Sequence, residues 1–391
     1  MSCLRIPSIT SWLFHVSRLV AHEPVGAFEN APLGEKAQRV ATRLSSMYQF
    51  GLTYCEMVEF SFGNLIIDVV YDSNVDQTAG VAEQAALAAV CLVSRDWYQA
   101  AVALLYHEPQ IDSLHGLEKF AANLAPRNAA SIKVLMLNKR ETKAYVTDSV
   151  LQDIASAYRQ HTTGTRTIPA PIQLMSLDLG GCSHVTDVGL VPLLALAGGN
   201  LTDVILNQCP ISNLALVTLA AHSPNLRCLS LWRNFQLAPG CLLPFRHHRL
   251  HTLDLIGCHW LNHDVIRNEL ALFGSLRSLR LVDCDGVAAS LVTLANILVG
   301  VEVLEITLLW ETCDAEIANI VRAWRSVKVL RMHWTLAGEE TVRAISEGMT
   351  SLEELDLRWC ENIKEEMVRK WLDRVKLMRL DSGTLLRCKK L

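Results

Sequence analysis

Metal or covalent chemistry in this 391-residue chain would have to come from its 12 cysteines and 13 histidines. Zinc is held by four nitrogen or sulfur ligands gathered through short spacings, such as C-x2-C or H-x3-H on one helix face. No cysteine pair here is C-x-x-C. The densest histidine group, His247, His248, His251, His259 and His263 beside Cys258, has no H-x3-H on a clear helix face. P-loop, GxSxG, HExxH and Cys–His–Asn signatures are also absent. The sequence therefore reads as having no metal site, no cofactor and no catalytic residues of its own. Its cysteines recur at long intervals with no short disulfide framework, as reduced and buried thiols of an intracellular protein do.

Recognition chemistry is what remains. Tryptophan and arginine dominate binding hot spots, and they interleave in the C-terminal half as Trp232, Arg233, Arg280, Arg331, His333, Trp334, Arg358, Trp359 and Arg379. Asp254, Glu305, Glu354, Asp356 and Asp381 occur among them.

A sequence repeat must position these side chains. The pattern L-x-x-L-x-L, with Val, Ile or Met replacing Leu, begins at residues 132, 174, 201, 226, 250, 276, 301, 327, 352 and 375. From 174 onward the starts are 23–27 residues apart. In x-L-x-L the period is two, so the leucines point to one side of a short strand and the intervening residues to the other. Three residues after the last leucine comes a cysteine in five copies (Cys182, Cys209, Cys258, Cys284, Cys360) and Asn234 in a sixth. Amphipathic helices follow, with Thr186 and Asn262 where an N-cap is expected. One such unit cannot bury its own apolar face, but stacked copies can, and the result is a curved solenoid with strands lining the inside. Positions three, five and seven of each copy then face the concave side, with position eight at the rim. The tryptophans and arginines named above fall on that surface as a substrate-binding face. The N-terminal copies offer smaller residues there, such as Ser176, Asp178 and Gly180.

Residues 174–190 read L-x-x-L-x-L-x-x-C-x-x-V-T-D-x-G-L, which resembles the cysteine-containing leucine-rich repeat. The resemblance implies an α/β solenoid of about ten repeats over residues 111–391. A loop insertion near 161–171 accounts for the 42-residue interval between the first two copies. Leu309, Thr335 and Gly383 replace the cysteine in copies seven, eight and ten, where remodelled turns are expected.

Residues 61–110 read as a three-helix module: Phe62–Tyr71, a polar break, then two helices in Val81–Tyr106 with a bend near Ser94. The element Leu92-Val93-Ser94-Arg95-Asp96-Trp97, with Leu104-Leu105-Tyr106-x-x-Pro109 after it, resembles the second half of an F-box of the fungal type that precedes leucine-rich repeats. Its first half departs from that family, since Phe62-Gly63-Asn64-Leu65-Ile66-Ile67 lacks the Pro and Glu of the motif. The resemblance implies docking of a Skp-type adaptor, and through it a cullin, by Leu65, Ile66, Leu87, Val90, Leu92, Val93 and Trp97. Residues 1–60 read as a partly disordered N-terminal extension.

Composition narrows the partners. Half of the chain is apolar, 19% is charged and the formal net charge is −4. That excludes a disordered chain and argues against a nucleic-acid binder, which carries a basic excess. Without an 18-residue apolar run or a secretory signal, no membrane span is expected. The first acid, Glu23, follows Arg5 and Arg18, so a mitochondrial presequence is the alternative to a cytoplasmic or nuclear site. The sequence thus reads as a substrate-recruiting F-box subunit of a ubiquitin ligase, non-catalytic itself and binding an unidentified protein substrate. The alternative is a repeat scaffold or assembly factor without adaptor binding.

Overall fold

In the computed structural model, the described residues are 84, 87, 88, 91, 95–163, 171–284, 287–307, 312–371, 375–377 and 388–390. The chain divides into two compact units at Gln110/Ile111.

In the first unit, α1 (Arg95–Leu105) carries Trp97. Gln84 and Leu87 are helical, and Leu87 is buried. The Gln84 amide donates to the carbonyls of Leu105 (3.2 Å) and Glu108 (3.0 Å) and accepts from Gln110 N (2.8 Å). One side chain therefore satisfies the Leu105 carbonyl that the end of α1 leaves open and ties it to the segment that follows. Leu65, Ile66, Val90, Leu92 and Val93, the helix expected at Phe62–Tyr71, and the extension 1–60 lie outside the described residues.

The second unit begins with α2 (Leu114–Asn123), capped by Ser113, and the short α3 (Pro126–Ala129). Nine parallel strands then follow in sheet order: β1 (Val134–Met136), β2 (Ser176–Asp178), β3 (Asp203–Ile205), β4 (Cys228–Ser230), β5 (Thr252–Ile256), β6 (Ser278–Val282), β7 (Val303–Thr307), β8 (Val329–His333) and β9 (Glu354–Asp356). The register aligns the fourth position of every copy, Leu135 against Leu177, then Val204, Leu229, Leu253, Leu279, Leu304, Leu330 and Leu355. The leucines of each x-L-x-L stack into one continuous buried layer.

Helices cover the other side of that layer: α4 (Asp148–Thr163), α5 (Asp187–Ala197), α6 (Asn213–His222), α7 (His263–Asn268), α8 (Ala288–Ile297), α9 (Asp314–Ala323), α10 (Glu339–Gly348) and α11 (Glu365–Trp371). Thr186 caps α5 by accepting from Val188 N, and Asn262 caps α7 by accepting from Val265 N, as their sequence positions imply. Register, repeat length and buried positions make this an α/β leucine-rich-repeat solenoid with an open sheet.

Three details depart from the sequence expectation. The strand of the tenth copy does not pair with β9. The edge of β9 is taken by β11 (Cys388–Lys390), antiparallel, with β10 (Val375–Leu377) outside it. After β4 the chain makes only a 3-10 turn (Leu243–Phe245) where other copies have a helix, because Pro239, Gly240 and Pro244 interrupt it. The insertion expected near 161–171 begins as the last turn of α4, and residues 164–170 lie outside the described set.

Candidate interaction surface on the strand face

Two hydrogen-bond ladders run through the turns that follow the strands, in opposite directions. The cysteine thiol donates to the carbonyl of the last leucine position one copy earlier: Cys182 to Leu137 (3.5 Å), Cys209 to Leu179 (3.1 Å), Cys258 to Leu231 (3.0 Å), Cys284 to Leu255 (3.3 Å) and Cys360 to Met332 (3.3 Å). The backbone N–H of position eight donates one copy onward, to the position-seven carbonyl. This bond joins Gly181 to Asn207, Gln208 to Trp232, Arg233 to Ile256, Gly257 to Val282 and Trp334 to Arg358.

Aiming that N–H at the next copy needs a left-handed residue at position eight. Gly181, Gln208, Arg233, Gly257, Asp283, Trp334 and Trp359 all have φ between 51° and 83°. Left-handed backbone suits glycine and costs other residues about 1–2 kcal/mol. Two of the seven are glycine and two are tryptophan. Copy eight keeps this turn although it lacks the cysteine: Thr335 is buried in the cysteine's place, with its hydroxyl 3.2 Å from Cys360 Sγ. The expected remodelling of that turn does not occur, because a threonine hydroxyl fills the same polar position. Leu309 and Gly383 lie outside the described residues.

The turn fixes where the tryptophans go. Trp334 and Trp359, in adjacent copies with the same backbone, stack with ring centroids 5.0 Å apart and planes 9° from parallel. They stay 41% and 49% exposed, so the pair presents an aromatic surface instead of completing the core. Trp232 is 37% exposed, with Arg233 Cζ 5.8 Å from its ring centroid. Phe235, missed by the sequence reading, is 72% exposed and stacks on His259 at 6.0 Å. Its signal was available, since Phe235 and His259 stand at position ten of consecutive copies.

The arginines are held by carboxylates of the same face. Arg280 meets Glu305 at 3.0 Å and Asp254 at 3.5 Å, Arg331 meets Glu354 at 3.1 Å, and Arg358 meets Asp356 at 2.9 Å. Arg233 is 4.0 Å from Asp283, and His333 Nε2 is 3.1 Å from Asp356 Oδ2. Burial acts to raise the Asp356 carboxyl, but His333 and Arg358 outweigh it and hold the group below its ordinary value. At Asp254 burial wins over Arg280, and the carboxyl is raised. The face therefore has internally compensated charge and does not offer unpaired guanidinium forks to an acidic or phosphorylated ligand. Arg379 and Asp381 lie outside the described residues.

Among the described residues, no group of three or more His, Cys, Asp or Glu is placed to hold a metal. His247 accepts from Arg246 Nε, His248 packs against Phe245, His251 contacts Arg249 O, and His263 contacts Ser290 Oγ. Burial pushes the Cys182 and Cys209 thiols up to about 12 and Cys228 to about 11, which keeps them protonated and unreactive. No described helix is long and apolar enough to cross a membrane.

Neither a protein-family model nor a curated protein matches the chain. Among solved structures, the yeast Rad7 and Elc1 complex is similar over 60% of this chain and 63% of that one, at 20% identity and a TM-score of 0.45. This chain thus spans less than two thirds of that chain's length. The leucine-rich-repeat-containing protein LegL7 from Legionella pneumophila is similar over 70% of this chain and 100% of its own, at 16% identity and a TM-score of 0.41. TLR13 in its complex with ssRNA13 is similar over 61% of this chain and 34% of its own, at 17% identity and a TM-score of 0.30. At such identities the likeness is one of fold.

Proposed function

We propose that the chain recruits a protein substrate to a cullin-type ubiquitin ligase, with residues 61–110 docking a Skp-type adaptor and the strand face holding the substrate. The chain is then a non-catalytic subunit, and its partners carry out ubiquitin transfer. One observation carries the substrate half of this reading: the stacked, half-exposed Trp334 and Trp359 on a rigid sheet. Rigid aromatics that remain exposed are what hot spots are made of. The adaptor half rests on sequence order, with the Leu92–Trp97 motif leading through α1 into the repeats. A repeat scaffold without adaptor binding is the second reading, favoured by the missing Pro and Glu of the first motif half.

Co-purification of the Skp-type adaptor with the full chain separates the two. Capture at micromolar concentration is expected. Leu92→Asp combined with Trp97→Ala should abolish it while the repeat unit keeps its circular dichroism spectrum. Absence of capture by the unmutated chain would leave only the scaffold.

A further inference from the structure

The helix side of the solenoid holds a half-open cavity of about 350 Å³ between the helices of copies five and six. It exists because α7 ends after six residues and tightens into a 3-10 turn (Leu270–Leu272). Side chains at the facing positions are also small: Ala271 on that turn, and Ser290 and Thr293 on α8. Ser290, Thr293, Leu294 and Ile297 follow the i, i+3, i+4, i+7 spacing of one helix face, which α8 turns toward the cavity. Apolar walls come from Ile266 and Leu294, both buried, and from the half-exposed Ile297.

Two nitrogen donors line the same space one helical turn apart on α7, His263 and Arg267. His263 Nδ1 is 2.5 Å from Ser290 Oγ, a bond between the two helices. Nε2 is therefore the ring atom left to meet a ligand. Arg280, Arg331 and Arg358 on the strand face are held by carboxylates. Arg267 has no hydrogen bond or ion pair among the described residues, and no Asp or Glu lines the cavity.

An apolar cavity with a few convergent polar groups is the usual form of a small-ligand site. The planar guanidinium fork matches a carboxylate in two charge-assisted bonds. At roughly 30 Å³ per water, the space equals about twelve waters, which sets a ligand of about a dozen non-hydrogen atoms. Inorganic phosphate would meet Arg267 equally well but would leave Ile266, Leu294 and Ile297 wet, so the walls select an anion with an apolar body.

We propose that this cavity binds a small apolar carboxylic acid, either free or as the C-terminal residue of a peptide, with the carboxylate on Arg267 and His263 Nε2 and the apolar body against Ile266, Leu294 and Ile297. The site depends neither on the strand face nor on adaptor docking.

Isothermal titration calorimetry on the full-length chain tests it. The probes are 4-phenylbutanoate, its neutral amide, acetate, inorganic phosphate, and acetyl-glycyl-phenylalanine with either a free or an amidated C-terminus. Each free acid with an apolar body should bind at least about tenfold more tightly than its amide, and than acetate or phosphate, the worth of a charge-assisted bond. Arg267→Gln should weaken binding by about tenfold as well. Ala271→Leu should abolish binding by filling the cavity, and Arg159→Gln on α4 should leave it unchanged. Urea midpoints report folding of the variants, and Arg267, being exposed, decides the case even where Ala271→Leu does not fold. Tighter binding of the peptide acid assigns the site to a chain terminus, and tighter binding of 4-phenylbutanoate assigns it to a free acid. Equal affinity for acid and amide, phosphate binding as tightly as the acids, undiminished binding in Arg267→Gln, or no binding of any probe at millimolar concentration would overturn the proposal.

Discussion

Asp314, the first residue of α9, accepts a hydrogen bond from Thr341 Oγ1 at 2.6 Å, in the helix of the next copy. The same carboxylate also accepts from Gly338 N, Glu340 N and Thr341 N. Asp187 does this for Ser212, through its N at 3.0 Å and its Oγ at 2.5 Å, and Asp148 does it for Thr186 and Gly189. The opening residue of one helix therefore closes the open N–H groups of the next, which is a cap supplied from the neighbouring copy. Gly189 belongs to the same device: a Cβ there would lie 2.7 Å from Asp148 Cα, so only glycine lets α4 and α5 approach this closely.

Asp314→Ala should destabilise the solenoid by about 2 kcal/mol, since charge-assisted bonds to backbone N–H groups are among the stronger ones. Urea denaturation measures the loss, and a change below about 0.5 kcal/mol would show the cap to be dispensable. The effect has a definite pH sign. Burial acts to raise the Asp314 carboxyl, but the bonds from Thr341, Gly338 and Glu340 outweigh it and lower it from 3.8. Its contribution is present above that ordinary value and is lost as pH falls through the depressed one. Asp314→Asn should accordingly flatten the acid limb of the stability curve.

Buried and exposed thiols should separate cleanly. Among the described cysteines, Cys182, Cys209, Cys241, Cys258, Cys284 and Cys360 are buried, while Cys313 is exposed. Iodoacetamide on the native protein should modify Cys313 before any cysteine of the ladder and leave the ladder unlabelled until unfolding, as peptide mass spectrometry would resolve. Labelling of Cys258 at the pace of Cys313 would contradict the ladder. Cys258→Ser should cost roughly 1–3 kcal/mol, because a shorter, more polar hydroxyl replaces a thiol fitted to Leu231 O.

Much of this architecture was legible because it is periodic. Leu177, Leu229 and Leu330 announce their buried register by recurring, and Thr186 and Asn262 announce caps by residue type. The β11 strand was not legible. Cys388–Lys390 pairs with β9 in the antiparallel sense, and nothing in a short basic tail encodes which edge it joins. On the candidate surface, Trp232 could be placed by alternation and Trp334 and Trp359 at the rim by their position in the copy, whereas the partner of each arginine could not. Arg331 pairs with Glu354 across copies and Arg358 with Asp356 within its own, a choice set by side-chain reach, which strand periodicity does not specify. The stack of Trp334 on Trp359 needed the left-handed turn, and a turn that accepts Gly, Gln, Arg, Asp and Trp has no residue signature to read.

Asp356 should steady that stack. It contacts His333 and Arg358, the residues that immediately precede the two tryptophans. Rings stacked 5.0 Å apart should show a coupling energy of about 0.5–1.5 kcal/mol in a double-mutant cycle of Trp334→Ala and Trp359→Ala. In the Asp356→Ala background that coupling should shrink. Because the Asp356 carboxyl is held below its ordinary value, the coupling should persist through pH 3.8 and fade only in stronger acid. An undiminished coupling in Asp356→Ala would show that the turns alone hold the rings.

Replacing Trp359 in two ways separates what the ring does from what its backbone costs. At φ 62° any L side chain pays about 1–2 kcal/mol, a strain that glycine does not carry. Either substitution forfeits the stacking contribution, about 0.5–1.5 kcal/mol for an aromatic pair. Trp359→Ala loses the stack and keeps the strain, so it should be destabilised by about 1 kcal/mol. Trp359→Gly loses the stack and relieves the strain. Its greater unfolded-state freedom takes back part of that relief, and its stability should lie near that of the unmutated protein. Both variants should lose substrate capture equally, each by at least about 1 kcal/mol, because binding depends on the ring. Urea midpoints at unchanged slope would report the first comparison and titration of a captured substrate the second. A glycine variant no more stable than the alanine variant would mean that position eight relaxes out of the left-handed region once the ring is gone. In that event the turn is held by the tryptophan pair, and the ladder from Trp334 N to Arg358 O follows from the stack instead of fixing it.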